Sequence, residues 1–167
     1  AGVTAGFAAY HSGAGVLGWD AGTDASTHDI LHCDLGGTIE MAGQAVFKVA
    51  IRSATASAHA ALEAAGVKSD DVSLFVPHQA NLRITDALAS RLGLPAERVV
   101  STIATTGNSS AATIPHALAL ADSDGRLRDG DLVVVSGFGA GMTWATAVLR
   151  WSSGQTARRN PAGAAEV

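Results

Sequence analysis

The chain has 167 residues, enough for one full-sized hydrophobic core. Its 15 acidic and 11 basic side chains leave a formal net charge of -4, without the concentrated positive charge that a nucleic-acid surface needs. No stretch approaches the run of about 18 strongly apolar residues that spans a membrane, and a single cysteine, Cys33, excludes an internal disulfide and fits a reducing compartment. The opening residues Ala1-Gly2-Val3-Thr4 show neither a basic n-region nor an initiator methionine. No signal peptide is visible, the start reads as a fragment boundary, and a cytoplasmic location is expected.

Residues 1 to 19 alternate small and apolar side chains with glycines, which predicts one or two short strands around a turn at His11-Ser12-Gly13. Residues 20 to 38 are rich in turn formers and show no period, so they read as an irregular excursion. His28, His32, Cys33 and Asp34 carry metal-capable atoms here, but their spacing matches no standard zinc pattern, and no metal is expected. Nothing in the sequence sets a base beside Cys33, so it is not expected to act as a nucleophile.

From Gly43 to Ala65 the period is helical, with Phe47, Ile51, Ala58 and Leu62 on one face and Lys48, Arg52, His59 and Glu63 mostly on the other. Gly66 fits a C-cap. The apolar run Val72 to Val76 has strand length, and a helix is expected from about Asn81 to Leu92, stopped by Gly93 and Pro95. Between them, Pro77 and His78 occupy a strand-to-helix switch, where α/β proteins place ligands. There His78 reads either as a loop or capping histidine or as a functional one. In the second case the positive end of the helix would favour its neutral form.

Val99 and Val100 predict another short strand. Gly107-Asn108-Ser109-Ser110 is a polar turn entering a helix, with Ser109 and Ser110 as candidate caps and Pro115 early in that helix. Leu132 to Ser136 reads as a buried strand, Gly137 to Gly141 as a tight turn, and Met142 to Trp151 as a partnering strand. The glycine spacing at 137 to 141 is a weak phosphate signal, because the dinucleotide motif needs a helix after it. The tail from Ser152 is small, polar and expected to be loose. Together these elements predict a layered α/β unit, a mixed sheet covered by helices on both faces.

Three segments then coincide: Val76-Pro77-His78-Gln79-Ala80-Asn81-Leu82-Arg83-Ile84, Gly107-Asn108-Ser109-Ser110-Ala111-Ala112-Thr113-Ile114-Pro115, and Gly137-Phe138-Gly139-Ala140-Gly141-Met142-Thr143-Trp144. With Met41-Ala42-Gly43-Gln44-Ala45-Val46-Phe47-Lys48, they closely resemble the C-terminal half of beta-ketoacyl-acyl carrier protein synthase III, a thiolase-fold condensing enzyme. The resemblance covers about residues 12 to 151. It implies a thiolase-like fold made of two similar halves. Residues 1–151 would form the C-terminal one and 152–167 a flexible tail.

The resemblance also implies roles. His78 and Asn108 look like the family's active-site histidine and asparagine, two donors that would stabilise the enolate formed when a malonyl thioester loses carbon dioxide. Phe138 and Gly139 would shape the substrate pocket, and Lys48, Arg83 and Arg91 would form a basic rim for an acidic acyl carrier protein. Family members often have a basic residue where Ser90 stands, so that rim is either weaker here or shifted toward Arg91. Acyl-CoA and phosphopantetheine thioesters are the implied substrates, and no cofactor is implied. Further implied partners are the N-terminal half, carrying the nucleophilic cysteine, and a second copy of the complete protein. Two other functions stay open: an acyltransferase to an alcohol or amine, with His78 as general base, and a catalytically silent partner subunit.

Overall fold

The structure, a computed structural model, describes residues 15–153. The turn expected at His11 and all but the start of the expected loose tail lie outside these residues. In chain order the elements are β1 (Gly15–Thr23), β2 (Leu31–Cys33), β3 (Ile39–Met41), α1 (Gly43–Ala65), β4 (Leu74–Pro77), α2 (Leu82–Arg91), α3 (Ile103–Thr106), α4 (Thr113–Ser123), β5 (Leu132–Gly139) and β6 (Thr143–Arg150). Short 3-10 turns punctuate them.

Four strands form one sheet in the order β1-β6-β5-β4. β4 and β5 run parallel, and the other two pairings are antiparallel. Successive side chains on a strand point to opposite faces, so each strand feeds two cores. Phe75, Val134 and Val148 pack against α1 and α2 through Ile51, Ala58, Leu62, Ile84 and Leu88. Leu74, Val76, Val133 and Leu149 pack against α4 through Ala117, Leu118 and Ala121. All four residues of β4 are buried, as a strand covered on both faces must be.

The long helix α1 follows its sequence period. Ile51, Ala54, Ala58, Ala61 and Leu62 are buried, while Lys48, Arg52, His59 and Glu63 are exposed. It stops at Gly66, which takes the left-handed conformation at φ +65° and donates its N–H to the carbonyls of Glu63 and Leu62. α1 lies so close to β1 that a Cβ on Gly18 would stand 2.5 Å from the Ala65 nitrogen and 2.7 Å from the Ala61 oxygen. Both are backbone atoms, which a rotamer change cannot move. Gly18→Ala is expected to lower stability by about 1–3 kcal/mol, the usual cost of overpacking, read as a lower urea midpoint. Gly43→Ala, whose Cβ would meet nothing within 4 Å, serves as the control and should leave the midpoint nearly unchanged.

Several elements differ from the sequence expectation. β1 runs on to Thr23, so Asp20 and Gly22 belong to a strand and not to an irregular excursion. The long partner β6 holds them in register, Asp20 opposite Thr146 and Gly22 opposite Trp144, and the Trp144 ring fills the space beside Gly22. Val99 and Val100 form no strand of their own. Val99 makes a single bridge to Phe75, and the Val100 carbonyl is occupied by the Gln79 side chain, not by another strand. Gly137 to Gly139 are the end of β5, paired with Ala145, Trp144 and Thr143. The turn begins only at Ala140, and the glycine run forms a hairpin end with no helix behind it.

Candidate active site

β4 delivers His78 to the site. Pro77 ends the strand opposite Ser136, and the His78 N–H donates to the Ser136 carbonyl at 2.7 Å. Three residues later Asn81 starts α2, its Oδ1 accepting the Arg83 N–H at 2.9 Å. The His78 ring is thereby left between β5 and the start of α4. Its Nδ1 lies 2.6 Å from Thr113 Oγ1. Phe138 meets it edge-to-face, with centroids 5.3 Å apart and planes at 72°.

Burial pushes the His78 pKa below its ordinary 6.5, so the imidazole is neutral at pH 7. The neutral form expected from the sequence is therefore present for a different reason. α2 begins at Leu82 and is capped by Asn81, whereas the force on His78 is loss of water around the ring.

Asn108 follows α3 and Gly107, which turns the chain at φ +61°. Its side-chain oxygen accepts the Ser110 N–H at 2.9 Å. A backbone N–H can only donate, so the oxygen must be the atom that faces it, and Nδ2 is left as a donor with no partner among the described residues. The Ser109 and Ser110 side chains make no capping bond at the turn that follows. Asn108 caps Ser110 instead, and Ser110 adopts φ +55°. That conformation turns its carbonyl toward Thr113 Oγ1, 3.0 Å away. A continuous hydrogen-bonded string thus runs from Asn108 through Ser110 and Thr113 to His78.

A second polar link ties the two segments from below. Gln79 is fully buried. Its amide donates to the carbonyls of Pro77 at 2.7 Å and Val100 at 3.1 Å, and its oxygen accepts the Thr102 N–H at 2.8 Å. Thr102 in turn caps α3, accepting from the N–H groups of Thr105 and Thr106. Gln79 therefore holds the end of the His78 strand against the segment that carries Asn108. Neither Gln79 nor Thr113 emerged as a site residue from the sequence. The available signal for Gln79 was a polar amide two residues beyond the end of a buried strand.

His78, Asn108, Phe138 and Gly139 line one cavity of about 1260 Å³, with Lys48 and Arg83 also on its wall. The Arg83 guanidinium lies 5.4 Å above the Phe47 ring, a cation–π contact that holds it at the wall. Arg91 does not line the cavity; it is exposed in the last turn of α2, about 12 Å along the helix from Arg83 at 1.5 Å per residue. The β2–β3 hairpin also contributes to the lining, including Cys33. The Cys33 thiol is exposed, and its polar neighbours are the carbonyls of Asp34 and Gly37, at 3.6 and 3.7 Å. A carbonyl cannot deprotonate a thiol. Nearby, His28 pairs with Asp29 at 2.9 Å and His32 faces Glu40 at 3.9 Å. Among the described residues no group of three or more His, Cys, Asp or Glu side chains is arranged to hold a metal ion. No described helix is long and apolar enough to cross a membrane.

The chain has relatives in sequence and in fold. Residues 62–151 match the family described as 3-oxoacyl-[acyl-carrier-protein (ACP)] synthase III C terminal. The chain is 46% identical over 144 residues to the beta-ketoacyl-[acyl-carrier-protein] synthase III of Rhodobacter capsulatus, covering 82% of this chain and 44% of that protein. Among solved structures it resembles the 3-oxoacyl-[acyl-carrier-protein] synthase III of Aquifex aeolicus, with a TM-score of 0.83, 42% identity, and 85% of this chain matched to 46% of that one. It also resembles the priming beta-ketosynthase of the R1128 polyketide pathway, with a TM-score of 0.76, 36% identity, and 81% of this chain matched to 44% of that one. The chain thus spans less than half the length of these relatives. By sequence and by fold, the chain belongs to the beta-ketoacyl-acyl carrier protein synthase III family of thiolase-fold condensing enzymes and corresponds to a C-terminal portion of its members.

Proposed function

We propose that residues 1–151 are the C-terminal half of a cytoplasmic condensing enzyme. In this reading His78 and Asn108 stabilise the enolate formed from a malonyl thioester. The observation that carries it is the string joining the two side chains through Ser110 and Thr113, both ends of which line the same cavity.

An N-terminal half would supply a cysteine that takes an acyl group from acyl-CoA, releasing CoA. A malonyl group carried on an acyl carrier protein then enters. Its carboxylate leaves as carbon dioxide, and the electron pair of the broken C–C bond moves into the thioester, charging its oxygen. Neutral donors suit that oxygen, because they gain strength as its charge develops and leave no buried charge unpaired before it forms. The enolate carbon attacks the acyl carbonyl, and the tetrahedral adduct collapses by expelling the cysteine thiolate. Phe138 packs on His78 and limits where the malonyl group can lie. Lys48 and Arg83, exposed along the cavity, suit an acidic carrier protein. Arg91 would touch the carrier away from the cavity. The complete protein would act as a dimer.

The test is acylation followed by carbon dioxide release. The 167-residue chain alone is expected to form no acyl-enzyme with acyl-CoA, with or without Cys33→Ala. Combined with a nucleophile-bearing half, it should release carbon dioxide from malonyl-carrier protein. Acyl transfer without that release would support the acyltransferase reading, and activity unaffected by His78→Ala would support the silent-partner reading. Acyl-enzyme formation by the chain alone, retained after Cys33→Ala, would contradict the division of labour.

A further inference from the structure

Thr113 holds a position that the reaction above leaves unused. It is buried, and its hydroxyl has two neighbours, His78 Nδ1 at 2.6 Å and the Ser110 carbonyl oxygen at 3.0 Å. A hydroxyl has one proton to give, and a carbonyl oxygen can only accept. If Thr113 gave its proton to Nδ1, two oxygen lone pairs would face each other across the 3.0 Å gap to Ser110. If it gives the proton to Ser110, both contacts are hydrogen bonds, provided His78 carries its own proton on Nδ1.

We infer that Thr113 is a positioning residue for His78, its hydroxyl fixing the imidazole's orientation and selecting the Nδ1–H tautomer of the resting site. The inference rests on the proposed role of His78 only in its consequence for catalysis; the tautomer follows from the three hydrogen-bonding groups.

The consequence is specific. At rest Nε2, which has no protein partner among the described residues, carries a lone pair and not a proton. To donate to the enolate oxygen, the neutral ring must move its proton from Nδ1 to Nε2, by exchange through water in the open cavity. No net proton is gained or lost. Thr113 can follow that change, because a hydroxyl that accepts from Nδ1–H can rotate and donate to a bare Nδ1. A carbonyl in its place would permit only the first state. The neutrality of His78 fits this scheme, since an imidazolium would carry both protons and leave no tautomer to select.

The measurement is nitrogen NMR on the 167-residue chain labelled with 15N-histidine at pH 7.5, with the His78 signals identified by their loss in His78→Asn. The wild-type ring is expected to show a protonated Nδ1 and an unprotonated Nε2. Thr113→Val keeps the side-chain shape, removes the hydroxyl and should shift the tautomer population toward Nε2–H by at least threefold. Thr113→Ser should restore the wild-type pattern.

A wild-type ring protonated on Nε2 would overturn the inference, as would a Thr113→Val ring unchanged from wild type. If the valine variant does not fold, wild type and Thr113→Ser still decide the matter, because both must show Nδ1–H. The spectra involve no turnover. A failed carbon dioxide assay would therefore sink the proposed reaction without touching this result, and a wrong tautomer would sink this inference without touching the assay.

Discussion

Replacing His78 with alanine in the assembled two-half protein is expected to slow carbon dioxide release from a malonyl thioester by about 100- to 1000-fold, or about 2.7–4 kcal/mol of barrier. Asn108→Ala should cost a similar amount. Each substitution deletes one donor from an oxygen that is nearly neutral in the bound thioester and negative in the transition state, so the loss should fall on kcat more than on KM. The double variant should lose less than the product of the two single losses, because the groups act on one atom and are joined through Ser110 and Thr113. The pH dependence has a definite sign. Burial depresses the His78 pKa, and the neutral ring is the working form; activity should decline as pH falls, with its half-maximal point on the acid side below 6.5. A half-maximal point above pH 6.5 on the acid side would contradict the assignment of neutral His78.

The second large effect is expected at Gln79, where no substrate is involved. Gln79→Ala strands three buried backbone groups at once, the carbonyls of Pro77 and Val100 and the N–H of Thr102. Each unsatisfied group costs about 1–3 kcal/mol, and the void left by the side chain adds to this. A loss of at least about 3 kcal/mol in unfolding free energy is expected, read by urea denaturation. Gln79→Glu should be no better despite its matched shape. A carboxylate has no N–H to offer the two carbonyls, and it would bring a charge into a site with no access to water. A variant of either kind within 1 kcal/mol of wild type would show that Gln79 is not the link between the two site segments.

How far the sequence reached depends on whether a feature is local. α1 was legible from end to end because its amphipathic period and the Gly66 stop both lie within the segment itself. The strand before His78, the helix after it and the apolar run of β5 were legible for the same reason. Gly137 to Gly139 were misassigned because glycine is a strong turn former, and only the pairing with β6 makes those residues a strand end. Val99 and Val100 looked like a strand, but their neighbour on one side is an amide side chain.

The site shows the same limit. No period or spacing joins His78 to Asn108; the resemblance of whole motifs brought them together. The residues that orient them come from contacts across 35 positions for Thr113 and 23 for the Gln79 bond to Thr102. Charge alone does not place a residue either: Lys48 and Arg83 line the cavity, whereas Arg91 stands away from it in the last turn of α2.

The most direct measurement is a crystal structure of the assembled protein holding a malonyl thioester analogue whose carbonyl is replaced by a stable oxyanion. One ligand oxygen is expected to accept from both His78 Nε2 and Asn108 Nδ2, each at a hydrogen-bonding distance of about 2.7–3.2 Å. An oxygen that contacts one of them while the other lies beyond about 4 Å would contradict it.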